Sequence, residues 1–121
     1  MGLGYRKKAF AQEGRRVEQE RRRSPRYVFF ASAQLSEESS DVRVVSRVSE
    51  LSQNGCYLDM MNPFPTGTMV RLKIEMESAV FEARAKIVYS QPNVGAGVAF
   101  VEVDPKHAQV LRGWLEAAAK E

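Results

Sequence analysis

The stretch Val70–Glu77, with the sequence VRLKIEME, alternates apolar and charged residues at every position. Strict alternation puts the apolar side chains on one face of an extended strand and the charged side chains on the other. The stretch therefore predicts a half-exposed antiparallel β-strand. The segment Phe81–Ser90 follows nearly the same rule and predicts a second long strand beside it.

Four other segments are rich in strand-forming residues and are separated by polar or proline-containing turns. They are Tyr27–Leu35, Val42–Ser49, Cys56–Met61 and Val94–Val101. At the end of the chain, Asp104 and Pro105 have the residue types of a helix N-cap and a first helical position. The pattern therefore predicts an all-β fold with a terminal helix: a six-stranded antiparallel β-barrel capped by a C-terminal α-helix.

Length and charge divide the 121 residues into an arm and one domain. We expect residues 1–20 to be a flexible basic N-terminal arm and residues 21–119 to be the barrel domain, with an arginine strap at 21–26 and the helix at 105–119. Residues 1–26 hold nine Lys and Arg against three Glu, a net charge of +6, whereas residues 27–121 have a net charge of −3. An anionic partner should therefore bind at the arm or the strap.

Several other classes of protein fit the sequence poorly. No apolar run approaches the ~20 residues of a membrane span, and the N-terminus lacks the apolar core of a signal peptide, so we expect a cytoplasmic protein. One cysteine, Cys56, and one histidine, His107, give poor support for a metal cluster or a Cys-His nucleophile. His107 is expected to face solvent. With no nucleophile beside a base and no paired carboxylates, we expect neither an enzyme nor a cofactor.

The strap, 21–26, carries four arginines in six positions. Pro25 disfavours helical geometry at Ser24, so the strap should be extended or turning. A guanidinium offers a planar fork of donors that can pair with a phosphate or with the edge of a guanine. The alternative is a solvated basic linker that tethers the chain to nucleic acid or to a membrane surface.

The segment Glu50–Gly55 is a polar turn between two strand-like runs. Glu50 can accept hydrogen bonds from a guanine edge, Ser52 can donate or accept, and Gly55 allows a positive φ or a close approach by a ligand. The alternative is an ordinary hairpin in which Asn54 and Gly55 form a type I′ turn.

Together these stretches resemble the signature of the PilZ domain, a family of bacterial receptors for cyclic di-GMP (c-di-GMP). Arg22 and Arg26 match its RxxxR motif, and Glu50, Ser52 and Gly55 match the frame of its (D/N)xSxxG motif. The similarity covers about residues 20–118. It continues through Gly67-Thr68, the run Gly95-x-Gly97-Val98-x-Phe100 and the closing helix.

The resemblance implies a PilZ-like barrel of the split-barrel type, whose strap folds over bound c-di-GMP. The ligand-binding residues would be Arg21, Arg22, Arg23, Arg26, Glu50, Ser52 and Gly55. Arginine at position 21 resembles the family type that binds a stacked pair of ligands. Glu50 departs from the family's Asp or Asn, and the extra methylene implies weakened or rearranged binding rather than loss.

Two rival functions remain open at this point. The first is a PilZ-like adaptor that no longer binds nucleotide and acts only on a protein partner. The second is a nucleic-acid-binding barrel, which we expect less because most aromatic residues sit at inward positions and leave no platform for stacking bases. In the receptor hypothesis, the signal passes to an unknown protein partner in trans.

Overall fold

The computed structural model describes residues 24–121, so the predicted arm at 1–20 and the arginines Arg21, Arg22 and Arg23 lie outside the described residues. Six strands and one helix follow in chain order. They are β1 (Tyr27–Glu37), β2 (Arg43–Leu51), β3 (Gly55–Asp59), β4 (Met69–Met76), β5 (Ala79–Gln91), β6 (Gly95–Glu102) and α1 (Pro105–Ala119).

The strands form a closed barrel in the order β1-β2-β3-β6-β5-β4, and every neighbouring pair is antiparallel. Closure comes from β1, which pairs with β2 along one edge and with β4 along the other. The predicted six-stranded antiparallel barrel with a C-terminal helix is therefore confirmed. No helix within residues 24–121 has the length and apolar character that a membrane span needs.

The alternation in the strands fills the barrel as predicted. The apolar residues of the opening stretch, Val70, Leu72 and Ile74, are 0–1% exposed, and Phe81 of β5 is fully buried. α1 packs against β5 and β1, where the ring of Trp114 lies 5.2 Å from Phe29 and 6.4 Å from Phe81 between centroids. The helix thus covers one end of the core with its apolar face.

The ends of β1 and β2 differ from the prediction because strand partners extend them. The predicted first strand ended at Leu35, but Ser36 and Glu37 also belong to β1 and pair with Arg71 and Val70 of β4. The polar turn was predicted to begin at Glu50, but Glu50 and Leu51 belong to β2 and pair with β1. The predicted turn at 50–55 therefore shortens to residues 52–54.

His107 does not face solvent, so that expectation is wrong. Its ring is partly buried at the start of α1, where Nδ1 accepts a hydrogen bond from the backbone N–H of Glu82 at 3.2 Å. The ring also meets the edge of Phe81, with 6.4 Å between centroids. His107 therefore helps fix α1 to β5, which is why the polar residue turns inward.

Candidate functional site

Strand pairing brings the end of the strap beside the β2–β3 turn. Val28 pairs with Glu50, and Tyr27 pairs with Leu51, so Arg26 lies next to the end of β2. Arg26 Nη1 lies 3.7 Å from Glu50 Oε1. The described arginine of the strap and the carboxylate of the second motif therefore form an ion pair at the surface of the barrel.

Ser24 adds a second link between the strap and the turn. Its hydroxyl accepts a hydrogen bond from Asn54 Nδ2 at 3.2 Å and lies 3.5 Å from Gln53 Oε1, to which it donates. The strap thus contacts the β2–β3 hairpin at two points: Ser24 bonds to the turn, and Arg26 pairs with Glu50 at the end of β2.

Ser52 uses its hydroxyl to build the turn. The hydroxyl donates to the carbonyl oxygen of Gly55 at 3.2 Å and accepts from the backbone N–H of Asn54 at 3.3 Å. The backbone N–H of Ser52 also donates to the Gly55 carbonyl, at 2.9 Å. Ser52 therefore holds the turn in shape, as serine side chains often do when they bond to nearby backbone.

Gly55 is required by a close approach of backbone, and it does not form the type I′ turn considered above. Neither Asn54 nor Gly55 has a positive φ. A Cβ atom built on Gly55 would lie 2.1 Å from the carbonyl oxygen of Val98 on β6. Only glycine lets β3 lie this close to β6, so Gly55 sets the shape of the barrel wall beneath the turn.

These residues surround a pocket of about 200 Å³ on the outside of the barrel. Its lining comes from the strap, the β2–β3 turn and the adjacent strands. The lining residues are Arg26, Glu50, Leu51, Ser52, Asn54, Gly55, Cys56, Tyr57, Val88, Gly97, Val98 and Ala99. Sites that enclose a drug-sized ligand measure roughly 300–1,000 Å³, so the described residues form a shallow surface depression rather than an enclosure.

Comparison with models of protein families identifies the family to which this chain belongs. The model of the PilZ domain matches residues 20–117, which is most of the chain and includes both motifs. The chain belongs to the PilZ domain family. A search of curated proteins found no match to the chain.

Solved PilZ domains have the same fold. The PilZ domain of YcgR from Escherichia coli, solved with c-di-GMP, is 16% identical, with a TM-score of 0.65, and the match covers 83% of this chain and 92% of that one. The PilZ domain of CeSA from a cellulose-synthesising bacterium is 13% identical, with a TM-score of 0.62, over 77% of this chain and 96% of that one.

A third similar structure is the inhibitor of motility MotI/DgrA from Bacillus subtilis. It is 17% identical, with a TM-score of 0.62, over 77% of this chain and 48% of that one. The present chain thus spans about half of the length of MotI. At these identities the likeness shows the fold alone. The PilZ family itself is one of c-di-GMP receptors and adaptors rather than enzymes.

Two acidic groups in the floor of this PilZ pocket stay protonated at neutral pH. Burial raises the pKa of the Cys56 thiol to about 12. The pKa of Tyr57 is also raised to about 12, mainly by burial and then by the negative charges of Asp59 and Glu50. A thiol with such a pKa is a poor nucleophile, so Cys56 serves as a small core residue of the PilZ barrel.

The sequence analysis placed four described residues in the site, and the structure brings Arg26, Glu50, Ser52 and Gly55 together around one pocket. Arg21, Arg22 and Arg23 lie outside the described residues, so their place in the site stays a prediction. The other eight lining residues were not predicted as site residues from the sequence: Leu51, Asn54, Cys56, Tyr57, Val88, Gly97, Val98 and Ala99. Some of them had a faint signal, since Leu51 and Asn54 lie within the second motif, Tyr57 follows Gly55 at strand spacing, and Gly97 and Val98 belong to the Gly-x-Gly run of the PilZ resemblance.

The position of β6 in the PilZ barrel explains why those residues line the pocket. β3 pairs with β6 so that Gly55 lies opposite Ala99 and Tyr57 lies opposite Gly97. Gly97 is in turn covered by Tyr89, because a Cβ atom at position 97 would lie 2.6 Å from that ring. The ring centroids of Tyr57 and Tyr89 are 6.1 Å apart, so the two tyrosines support this end of the floor.

Proposed function

We propose that the chain is a non-catalytic receptor for c-di-GMP. The observation that carries the proposal is that Arg26 of the first motif and the Ser52–Gly55 turn of the second line one pocket. The ligand has two phosphodiester charges and two guanine edges. Arg26 supplies a charged fork suited to a phosphate or to the O6/N7 edge of a guanine.

The remaining roles follow from the chemistry of each residue. Glu50 accepts from guanine N–H groups, which are donors, and Arg22 supplies a second guanidinium from the strap. Ser52 shapes the floor through its turn bonds, and Gly55 keeps the floor free of a side chain. Arg21 and Arg23 extend the cationic surface, and Arg21 favours a stacked pair of ligands over a single one.

Binding would order the strap over the pocket and change the surface that a partner meets. The free energy available for this change is limited by the preference of the ligand for the ordered strap. The signal then passes to a protein partner in trans. We place this action in the bacterial cytoplasm.

One feature favours a second candidate, the adaptor that has lost nucleotide binding. Glu50 already faces Arg26, with Nη1 3.7 Å from Oε1, so an arriving phosphate competes with a carboxylate for the same guanidinium. In this candidate the ion pair keeps the pocket closed to ligand. The barrel and α1 then act as a binding surface for a protein alone.

Calorimetric titration of the whole chain with c-di-GMP separates the two candidates. The receptor proposal expects heat of binding, amide shifts at residues 50–57, and a ligand count of one or two per chain. Arg22→Ala should lose most of the affinity, because its guanidinium belongs to the strap. No heat and no amide shifts on adding c-di-GMP would overturn the receptor proposal and leave the adaptor.

A further inference from the structure

A second concave surface, which we call the helix groove, lies between α1 and the start of β1. It has a volume of about 580 Å³, larger than the ligand pocket. Apolar side chains on its walls include those of Pro25, Tyr27, Val103, Leu111, Leu115 and Ala119. An apolar groove of this size is large enough to take several side chains of a polypeptide segment.

The helix groove and the ligand pocket share a wall. Asn54 lines both, and successive residues of the strap divide between them, with Pro25 in the groove and Arg26 in the pocket. The hydroxyl of Ser24 holds this crossing in place through Asn54 Nδ2 at 3.2 Å. A change in the path of the strap therefore acts on both cavities at once.

We propose that residues 3–17 of the same chain occupy the helix groove while the ligand pocket is empty. Connectivity favours this occupant. The described part of the chain begins at Ser24, and the next residue, Pro25, is part of the groove wall, so the 23 residues before Ser24 are joined to the domain beside the groove. A segment tethered this closely has an effective concentration in the millimolar range, so weak contacts suffice to hold it.

The composition of residues 3–17 also favours this occupant. The segment carries four apolar side chains, Leu3, Tyr5, Phe10 and Val17, that can fill an apolar groove. Val17 lies eight positions before Pro25 in the sequence, and an extended chain spans up to ~3.3–3.6 Å per residue. The segment can therefore reach the far end of α1, whose 15 residues measure roughly 22 Å at 1.5 Å per residue.

Charge also favours this occupant. Residues 1–26 have a net charge of +6 and residues 27–121 have a net charge of −3. Within the groove, Arg112 and Glu116 balance each other, so the attraction comes from the domain as a whole and from the negative end of the α1 dipole. Both favour a cationic segment over an acidic one.

Coupling to the ligand rests on the proposed function. When the strap closes over c-di-GMP, Ser24 and Pro25 shift toward the pocket and the segment leaves the groove. The apolar face of α1 between Leu111 and Ala119 is then open to a protein partner. The same chain segment would thus keep the partner surface covered until the messenger arrives.

A nitroxide on Gln12→Cys in the full chain tests the occupancy before any ligand is added. Cys56 is 6% exposed and should not react with the label, which the unsubstituted chain verifies. We expect the amides of Arg112, Glu116 and Ala119 to lose intensity relative to the reduced label. A label on Ser40→Cys, in the turn after β1 and so at the other end of the barrel, is the control and should leave those amides sharp.

A matched pair of helix variants tests whether residues 3–17 bind in the helix groove or only diffuse near it because they are tethered. Ala119→Arg places a long cationic side chain in the groove and should restore the intensity of the Arg112 and Glu116 amides. Ala117→Arg, on an exposed part of the same helix that does not line the groove, should leave the intensity loss in place. No loss in the parent chain, or equal loss in both variants, would overturn the proposal.

Addition of c-di-GMP to the labelled chain tests the coupling separately. If ligand binds, the groove amides should regain intensity. If ligand binds and the loss persists, the coupling is wrong. If no ligand binds, the proposed function fails, whereas the ligand-free measurement still decides whether the segment occupies the groove.

Discussion

Arg26 and Glu50 form an ion pair at the rim of the ligand pocket, with Arg26 Nη1 3.7 Å from Glu50 Oε1. Their side chains are 27% and 36% exposed. The approach is set by strand register, because Val28, two residues after Arg26, pairs directly with Glu50. A phosphate that entered the pocket would therefore compete with the Glu50 carboxylate for the Arg26 guanidinium.

Replacing Arg26 with Ala should weaken c-di-GMP binding roughly tenfold to a hundredfold. The estimate follows from the loss of charged hydrogen bonds worth about 1.5–3 kcal/mol, at 1.4 kcal/mol for each factor of ten. The free energy of unfolding should also fall, by roughly 1–3 kcal/mol, because the paired atoms Arg26 Nη1 and Glu50 Oε1 are buried and the variant removes the cation from the carboxylate. Calorimetry and urea unfolding measure the two effects.

The control for Arg26 is Arg43→Ala. Arg43 is an exposed arginine at the start of β2, at the end of that strand remote from Glu50. A general loss of positive charge would weaken binding in both variants alike. Wild-type affinity in Arg26→Ala would remove this residue from the site.

Glu50→Asp should strengthen c-di-GMP binding, by up to roughly tenfold or about 1.4 kcal/mol. The shorter side chain draws the carboxylate back from Arg26 by about the length of one C–C bond, which frees the guanidinium for phosphate and keeps an acceptor for guanine N–H groups. Glu75→Asp, on an exposed position of β4, should leave the affinity unchanged. Weaker binding in Glu50→Asp would mean that the longer carboxylate is fitted to the ligand.

Gly55→Ala should destabilise the barrel by about 1–3 kcal/mol, the usual cost of forcing an extra group into a filled space. The added Cβ would lie 2.1 Å from the Val98 carbonyl oxygen, and backbone atoms cannot turn aside as a side chain can. Urea unfolding with an unchanged m-value would report this loss. Binding should weaken too, because the floor of the pocket must shift.

Gly113→Ala is the matched control for Gly55. Apart from its chain neighbours and the backbone of its own helix, no atom lies within 4 Å of a Cβ atom built at Gly113, which is exposed on α1. Here the change should stabilise the protein by roughly 0.5–1 kcal/mol, because alanine loses less backbone entropy in a helix. Similar destabilisation in both variants would show that the Val98 contact is not the cause.

The strands and the helix could be predicted from the sequence because the spacing of buried side chains is visible within each segment. Val70–Glu77 alternates in the chain and alternates in the barrel, with Val70, Leu72 and Ile74 at 0–1% exposure. The strap and turn could also be paired in advance, but only through the resemblance to the PilZ family. From composition alone, Arg26 could equally have been a residue of a solvated basic linker.

The pairing of strands that are distant in the chain could not be predicted from the sequence. Tyr57 and Ala99 line the pocket because β6 returns to lie beside β3, and nothing local to either strand specifies that neighbour. The same limit explains the incorrect interpretation of His107, whose acceptor role depends on the backbone N–H of Glu82 on β5. Gly55 was correctly singled out, but its physical reason, the Val98 carbonyl, lies 43 residues further along the chain.

Stability should fall as the pH rises from about 9 to about 12. The pKa of Cys56 is raised from 9.0 to about 12 by burial, and that of Tyr57 from 10.0 to about 12 by burial and then by Asp59 and Glu50. In this window the unfolded chain releases protons that the folded chain retains, so alkali favours unfolding. Well below pH 9.0 both groups are protonated in either state and their contribution is fully present.

Urea unfolding across this pH range, compared among three chains, measures the two contributions. Tyr57→Phe keeps the ring and removes the phenol, so the slope of unfolding free energy between pH 10.0 and about 12 should become shallower. Cys56→Ala should flatten the lower part of the window, from pH 9.0. Other groups titrate equally in all three chains, so the differences between the curves belong to Cys56 and Tyr57. If Tyr57→Phe kept the parent slope, the phenol would titrate alike in the folded and unfolded states, and its place against the pocket floor would have to be revised.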